Sequence, residues 1–212
     1  MKGKVVMVTG ANAGMGKEIS LALAGIGANL VMVSRDRVRG EAARNDVVSA
    51  TGNQHVELLI ADMSSQQSIR QLVQDFKAAH TQLHVLVNNA GMSLPTRHET
   101  ADGIETVFAT NHLGPFLLTN LLLPVLIASA PARVVTVSSG VQAMAKIDFE
   151  DLQSVKGYRR FALITRRSLP ISCSRTSWRA GSTAPGSPPM PSSQDSSRRT
   201  SKCRFRSACF RS

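Results

Sequence analysis

The sequence predicts an α/β fold in which helices cover both faces of a doubly wound parallel sheet. Three observations lead to this prediction. Short apolar runs alternate with longer segments of helical pattern from Val5 to Ser138, a glycine-rich turn follows the first run, and polar residues follow every run. Strands separated by helices pair in parallel, and right-handed crossovers then place helices on both faces of the sheet.

The predicted elements follow in chain order. Apolar runs bounded by turn residues give five strands, at residues 5–8, 29–34, 55–61, 83–87 and 133–138. The intervening segments give five helices: 17–26, 37–50, a helix capped by Ser64 or Ser65 and running to residue 80, 104–109 and 114–128. Glycines stop the first two helices, at Gly27 and near Gly52, because glycine readily adopts the left-handed conformation of a helix end.

The composition changes near residue 164 and divides the chain into two predicted parts. Residues 1–163 form the domain just described. Residues 164–212 form a tail rich in Ser, Arg and Pro without a helix or strand period, which predicts disorder. The net charge is +11, and the segment 165–212 carries most of it, with ten basic residues against one acid, Asp195.

These patterns argue against several classes of protein. The basic charge would suit nucleic acid, but it is concentrated in the tail, so nucleic acid is not the expected partner. Residues 1–164 lack cysteine, which suits a reducing compartment, and only four apolar residues lie between Lys4 and Thr9, too few for a signal peptide. The most apolar segment, 121–128, is shorter than the ~20 residues of a membrane span. The five histidines show no metal-ligand spacing. A cytoplasmic location, no membrane span and no metal are therefore expected.

The glycine-rich turn is the segment Thr9-Gly10-Ala11-Asn12-Ala13-Gly14-Met15-Gly16, between the first strand and the first helix. A strand, a glycine turn and a helix N-terminus together hold the pyrophosphate of a dinucleotide. Gly10 permits the tight turn, Gly14 allows the backbone to approach phosphate, and Gly16 allows the helix to pack on the strand. A plain glycine turn without a ligand is the alternative.

Polar clusters also follow the other predicted strands, at the edge where ligands bind in parallel sheets. The clusters are Ser34-Arg35, Asp62, Asn88-Asn89-Ala90-Gly91 and Ser138-Ser139. Each cluster alone is compatible with ordinary turn chemistry. Because all five strand ends carry polar residues, the sequence predicts one binding crevice along this edge.

These motifs resemble those of the short-chain dehydrogenase/reductase family. The matching residues are Thr9-Gly10-x-x-x-Gly14-x-Gly16, Asp62, Asn88-Asn89-Ala90-Gly91, Asn111 and Ser138-Ser139. Arg35-Asp36-Arg37 and Asn111-His112-Leu113-Gly114-Pro115-Phe116 are similar to the retinol-dehydrogenase-like branch. The resemblance covers residues 4 to about 163. It implies a Rossmann-type fold, incomplete here at its C-terminal end.

The resemblance implies a role for each matched residue. Asp62 would approach the adenine ring, Ser139 would hydrogen-bond the reacting oxygen, and Asn111 would hold a water of the proton relay. An arginine at the end of strand two accommodates a 2′-phosphate, so Arg35 favours NADP over NAD. The alternatives are a plain strand end for Ser139, a helix-bending or capping role for Asn111 and a surface charge for Arg35. The residues expected to contact the cofactor are Gly10, Asn12, Ala13, Gly14, Met15, Gly16, Arg35, Asp62, Met63, Asn88, Asn89, Ala90 and Gly91.

The resemblance ends at the catalytic helix. Family members carry Tyr-x-x-x-Lys after strand five, where the tyrosine donates a proton and the lysine lowers its pKa and holds the ribose. Tyr158 is the only tyrosine of this chain, and Ala162 stands four residues after it. Loss of one nucleotide near codon 164 would explain the change. The alternative frame allows tyrosine at position 164 and lysine at position 168, and it continues into a run similar to the family's next helix, strand and Pro-Gly loop.

The sequence thus predicts an oxidoreductase that transfers hydride, with NADP(H), to or from a small-molecule carbonyl or alcohol. This form is expected to be inactive because the tyrosine and the lysine are absent. A nucleotide-binding module without catalysis and a nucleic-acid-binding protein acting through its tail are the alternatives. The resemblance also implies a tendency to form homodimers.

Overall fold

The computed structural model describes residues 1–139 and 149–158, and within them five strands form one sheet. All neighbouring strands are parallel, in the order β3-β2-β1-β4-β5. This confirms the predicted doubly wound α/β fold. The strands are β1 Val5–Thr9, β2 Asn29–Ser34, β3 Val56–Ile60, β4 Val85–Asn88 and β5 Arg133–Thr136. The helices are α1 Gly14–Gly25, α2 Arg37–Thr51, α3 Gln66–Ala79, α4 Thr106–Phe108 and α5 Gly114–Ala128, and a 3-10 turn spans Phe149–Asp151.

The apolar core lies on both faces of the sheet, because successive side chains of a strand point to opposite sides. On one face, Val8 of β1 packs in a cluster with Val47 of α2. On the other face, Met7 of β1 packs in a cluster with Phe76 of α3 and Leu122 of α5. All five side chains are fully buried. The near-continuous apolar runs that predicted the strands therefore reflect burial on both faces.

Side-chain caps define the first turns of α2 and α3. The Asp36 carboxylate accepts a hydrogen bond from the Arg39 N–H at 2.9 Å and so caps the second helix. Ser65, rather than Ser64, caps α3, and its hydroxyl accepts from the Ser68 N–H. Gly52 ends α2 with φ of +70°, in the left-handed conformation expected there.

The segment predicted as two separate helices, 104–109 and 114–128, is one continuous helical run, Thr106–Ala128. A π-helical turn, Ala109–Leu113, joins α4 to α5, so the predicted interruption is wrong. Pro115 lacks the N–H that a regular α-helical ladder would use, and the wider turn before it keeps the chain helical. The run begins at Thr106 because the Glu105 carboxylate accepts from the N–H groups of Val107 and Phe108, at 2.8 and 2.6 Å.

The segment 121–128, predicted to be too short for a membrane span, is part of the 23-residue run Thr106–Ala128. Judged only by length and composition, this helix is able to cross a membrane, although 33% of its most apolar window is buried within the protein. Leu118, Leu122 and Leu126 are buried in the same cluster as the strand residues of one sheet face, as expected of a helix that packs on a sheet. The absence of a membrane span stays a prediction.

The predicted boundary at residue 163 and the predicted tail, 164–212, lie outside the described residues. The division of the chain into two parts therefore stays a prediction from composition.

A buried histidine joins the first strand to the fourth at the edge opposite the predicted crevice. The Val5 N–H donates to Nδ1 of His84 at 3.1 Å, so this nitrogen has to present a lone pair. Burial lowers the pKa of His84 below its ordinary value of 6.5, and the positive charge of Lys4 lowers it further. The folded protein therefore favours the neutral imidazole.

This preference predicts that folding stability falls on acidification below about pH 6.5, because the unfolded chain then binds a proton that the folded chain resists. The contribution of neutral His84 to folding stability is fully present above the pKa that His84 has in the unfolded chain. It is lost as the pH falls toward the lower pKa that His84 has in the folded protein. His84→Asn keeps an oxygen able to accept from Val5 and cannot titrate, so we expect a smaller loss between pH 8 and pH 5.5. Urea unfolding at both pH values measures this, with exposed His55→Asn as the matched control. An equal loss in wild type and His84→Asn would contradict the prediction.

Candidate cofactor and active site

The predicted site residues gather where the order of the strands reverses. The chain passes from β3 at one edge back to β4, which pairs with β1 near the centre of the sheet. The carboxyl ends of β1 and β4 therefore lie side by side, and such a switch point is where open α/β sheets bind ligands. Thr9 ends β1 and Asn88 ends β4, so the glycine-rich turn and the Asn88–Gly91 segment meet at this point.

The glycine-rich turn passes tightly over the end of β4. Gly10 has φ of +66°, and a Cβ built on it would lie 2.9 Å from the Ala90 Cα. A Cβ on Gly16 would collide with the Gly10 carbonyl oxygen and lie 2.5 Å from Nδ2 of Asn89. Both positions therefore require glycine.

The outer side of the same turn is open. Gly14 has φ of +52°, and a Cβ built there would meet no atom within 4 Å. Ala13, Gly14 and Met15 are exposed and Asn12 is half-buried. Among the described residues no side chain caps α1 at Ala13, and its first turn carries no acid. The N-terminal N–H groups of this 12-residue helix are therefore directed at open space suited to an anion.

Asn89 fixes the turn from inside. Its Nδ2 donates to the carbonyl oxygens of Thr9 and Gly10, at 2.9 and 3.3 Å. The Thr9 hydroxyl in turn accepts from the N–H groups of Asn89 and Ala90, both at 3.0 Å, and donates to the Val87 carbonyl. This network was not predicted, because it joins residues about 80 positions apart in the chain. The Asn89 side chain thus shapes the site by bracing the loop.

Asn88 also points inward. It is 2% exposed, and its Nδ2 donates to the Thr119 hydroxyl of α5 at 3.0 Å. Its buried Oδ1 has no partner among the described residues. Ala90 is half-buried and Gly91 is exposed.

Arg35 lies exposed directly after β2, beside the glycine-rich turn. The turn is joined to this strand by a hydrogen bond from the Ala11 N–H to the Val33 carbonyl, 3.1 Å long. Within residues 1–139 and 149–158 no carboxylate forms an ion pair with Arg35. The neighbouring Asp36 carboxylate accepts a hydrogen bond at the start of α2 instead.

Asp62 and Met63 follow β3 and lie on the same edge. The Ala61 N–H donates to the Ser34 carbonyl at 2.9 Å, which joins this segment to the end of β2. Oδ1 of Asp62 accepts from the N–H and the hydroxyl of Ser64, at 2.8 and 2.7 Å, in a closed turn. Met63 is 5% exposed, and its carbonyl oxygen lies so close to Gly114 that a Cβ there would collide with it.

Asn111 lies in the π-helical turn and is 2% exposed. Its Oδ1 accepts from the Met92 N–H and its Nδ2 donates to the Met92 carbonyl, both at 2.8 Å. Both ends of the amide are therefore bound to the loop after β4. Ser139, half-buried, is the third residue after β5 and lies on the same edge as Asn88, whose carbonyl accepts from the Val137 N–H at 3.0 Å.

His112 follows Asn111 and was not expected to contribute. Its Nδ1 is buried and has no partner among the described residues, and its ring stacks on Phe108 with centroids 5.4 Å apart. Burial lowers the pKa of His112, which favours the neutral ring. It packs as a largely apolar group behind the site. In the described part of the chain no group of three His, Cys, Asp or Glu residues is placed to hold a metal.

The chain matches a family model described as short chain dehydrogenase from residue 4 to residue 150. Retinol dehydrogenase 12 of Homo sapiens is 48% identical over 160 residues, which cover 76% of this chain and 51% of that protein. Retinol dehydrogenase 11 of Homo sapiens is 46% identical over 158 residues, 74% of this chain and 50% of that protein. The chain thus spans about half the length of the curated relatives it matches.

The chain is also similar to solved structures, among them a short-chain oxidoreductase. An uncharacterized protein from Mycobacterium paratuberculosis is 36% identical with a TM-score of 0.69, over 79% of this chain and 58% of that chain. RhlG of Pseudomonas aeruginosa, solved as an active-site complex with NADP, is 28% identical with a TM-score of 0.66, over 82% of this chain and 66% of that chain. A metagenomic short-chain oxidoreductase in complex with NADP is 27% identical with a TM-score of 0.66, over 83% and 75%. This chain therefore belongs to the short-chain dehydrogenase family of oxidoreductases, and its sequence resembles the retinol-dehydrogenase-like branch.

Proposed function

We propose that the protein encoded in the uninterrupted frame transfers hydride between NADP(H) and a carbonyl or alcohol carbon of an apolar small molecule. The observation that carries this proposal is the open N-terminus of α1 at the switch point. The glycine-rich turn leads into it, and at Gly10 and Gly16 this turn has no room for a side chain. Such a site accepts a pyrophosphate through backbone N–H groups. Two structurally similar proteins were solved with NADP, which supports a nicotinamide cofactor here.

The chain's own residues have separate tasks in this proposal. NADPH, when bound, supplies the hydride. Ser139 donates a hydrogen bond to the substrate oxygen and stabilises the negative charge that develops on it. The Asn111 amide is already bound to Met92 at both ends, so its side chain positions the loop, and any water of a proton relay would bind the backbone of the π-helical turn.

Direct binding tests the proposal. NADPH should bind residues 1–212 as they are, because the glycine-rich turn, Arg35 and Asp62 all precede the change of frame. Isothermal titration or quenching of cofactor fluorescence measures it. Binding without turnover after the frame is restored would favour the alternative of a nucleotide-binding module, and absence of NADPH and NADH binding would contradict both.

Arg35 makes NADP(H) the preferred cofactor in this proposal. The Arg35 guanidinium forms no ion pair with a carboxylate of residues 1–139 and 149–158, so it is available for a charge-assisted contact with the 2′-phosphate. Arg35→Ala should therefore weaken NADPH binding about tenfold or more, the equivalent of ~1.5–3 kcal/mol for a hydrogen bond to a charged group. NADH binding should change little.

The matched control is Arg37→Ala, which removes the same charge from a neighbouring exposed position where Glu41 is the partner. Titration of each variant with NADPH and NADH gives the ratio of the two affinities. An equal loss for both cofactors in Arg35→Ala, or an equal loss of NADPH affinity in Arg37→Ala, would refute selection by Arg35.

We further propose that one nucleotide is missing near codon 164. The retinol dehydrogenase relatives match 150–160 residues of this chain, and a Ser/Arg-rich composition replaces the family's catalytic helix beyond that length. Sequencing the source DNA through codon 164 tests this directly. Homodimer formation and a cytoplasmic location stay predictions.

A further inference from the structure

We propose that Asp102 is a positioning residue for the adenine side of the cofactor site, acting from the loop before α4 on the turn that carries Asp62 and Met63. The inference rests on the proposed binding of a nicotinamide dinucleotide. It assigns a task to a residue outside the glycine-rich turn and outside the Asn88–Gly91 segment. Asp102 is exposed, so its effect does not come from burial in the core.

The contact that carries the inference joins two distant parts of the chain. The Gln66 N–H donates to Oδ2 of Asp102 at 2.9 Å, across 36 residues. Gln66 is the first residue of α3, and the helix carries no acid in its own first turn. Asp102 therefore supplies both a hydrogen-bond acceptor and a negative charge to the N-terminus of a 14-residue helix.

The anchored amide lies directly after the adenine-side turn. Residues 62–65 lead from β3 into α3, and the Ser65 N–H donates back to the Asp62 carbonyl at 3.1 Å. The Asp62 N–H is bound in turn by the Ser68 hydroxyl of α3 at 2.9 Å. A shift of the first turn of α3 is thus transmitted to Asp62 through two hydrogen bonds. By holding the Gln66 N–H, Asp102 therefore also holds Asp62 in position.

Asp102 is itself held in a rigid turn. The Thr100 hydroxyl accepts from the N–H groups of Asp102 and Ile104, at 3.2 and 3.3 Å, and the Gly103 N–H donates to the Thr100 carbonyl at 2.9 Å. Gly103 has φ of +70°, which this tight turn requires. The turn leads into Glu105, which is fully buried and caps α4.

One short connector thus joins two parts of the proposed site. Through Asp102 it binds the helix that follows the adenine-side turn, and through Glu105 it binds the helical run that carries Asn111. Gln153, from the described segment 149–158, accepts from the Glu105 N–H at 3.0 Å and holds the connector in place. The geometry therefore couples the position of Asp62 to the same scaffold that positions Asn111.

Removal of the Asp102 charge tests this inference, because simple electrostatics and a positioning role predict opposite changes in the affinity for the nucleotide. Removing a carboxylate makes the surroundings more positive and should strengthen binding of an anionic nucleotide. Loss of positioning should weaken it. For Asp102→Ala in the full chain we expect affinity for 2′,5′-ADP and NADPH to fall about two- to fivefold, the size expected when a charge at a helix N-terminus is lost.

Two variants separate the explanations. Asp102→Asn keeps an oxygen that can accept from Gln66, so it should retain most of the wild-type affinity. Glu99→Ala removes the same charge from the same loop, where Glu99 pairs with Arg97 at 2.7 Å and caps no helix. It should leave the affinity unchanged or slightly raised. Titration calorimetry with 2′,5′-ADP measures all four proteins.

Hydrogen exchange provides the second measurement. In Asp102→Ala the amides of residues 62–66 should exchange faster than in wild type, while those of β1 and β2 should not change. Unchanged affinity, or faster exchange throughout the sheet, would overturn the positioning role. If wild type bound neither NADPH nor 2′,5′-ADP, the proposed function would fail and this inference with it, whereas binding that Asp102→Ala leaves unchanged would sink the inference alone.

Discussion

Residues 1–212 should show no NADPH oxidation above background with a broad panel of aldehydes and ketones, and restoring the frame at codon 164 should raise the rate by ~10²–10⁴-fold or more. This is the size of effect typical of a positioned general acid. The loss of a lysine that holds the ribose and lowers the tyrosine pKa would add to it. Ser139 and Asn111 remain in the chain, so the expected defect lies in proton donation.

Tyr158 does not replace the missing acid in the described geometry. Its hydroxyl donates to the Leu94 carbonyl at 2.9 Å, which binds the segment after the 3-10 turn to the loop after β4. Position 162, where the family pattern requires lysine, is alanine, and the chain has no other tyrosine. Tyr158 is thus a contact between two loops on this side of the sheet.

The measurement is the steady-state decrease of NADPH absorbance. The two proteins are compared at equal concentrations of folded protein, which the amplitude of a thermal unfolding transition reports. Tyr158→Phe in residues 1–212 is the matched control, because it removes the hydroxyl without changing the frame. Comparable turnover by residues 1–212 and by the restored protein would show that the change of composition at residue 164 does not disable catalysis. Turnover lost in Tyr158→Phe would assign the acid to Tyr158 instead.

The elements of the sheet could be predicted from the sequence because their signals are local. The apolar runs of β1 and β2, the glycine stop at Gly52 and the Ser65 cap each depend on residues within a few positions of one another. The crevice could be predicted too, since parallel strands bring their carboxyl ends to one edge whatever the loops do.

Contacts between distant residues could not be predicted in this way. Asn89 bracing Thr9, Asn111 binding Met92 and Asp102 capping Gln66 each join parts of the chain that only the folded sheet brings together. Their residue types do not predict these contacts, because Asn and Asp in loops are also ordinary turn formers. The continuous run through Ala109–Leu113 was missed for a related reason: a π-helical turn has no period of its own in the sequence.

Gly16→Ala should destabilise the fold by about 1–3 kcal/mol and weaken NADPH binding at least about tenfold, although alanine is the better helix former by ~1 kcal/mol. The added methyl group would collide with the Gly10 carbonyl oxygen and lie 2.5 Å from Nδ2 of Asn89. The first atom belongs to the backbone, and the second is held by the Thr9 carbonyl, so neither can move away without opening the turn.

Gly25→Ala is the matched control on the same helix, because a Cβ there would meet its nearest atom at 3.9 Å, an ordinary contact. It should cost nothing and gain up to ~1 kcal/mol. Chemical unfolding and NADPH titration of both variants measure the two effects. If Gly16→Ala unfolded at the wild-type denaturant concentration and bound NADPH as wild type does, the packing of α1 on the turn would not be what requires glycine at this position. Only Gly16 touches the loop that Asn89 holds in place. An equal loss of affinity in Gly25→Ala and Gly16→Ala would therefore show that any substitution in α1 disturbs the site, whether or not it contacts this loop.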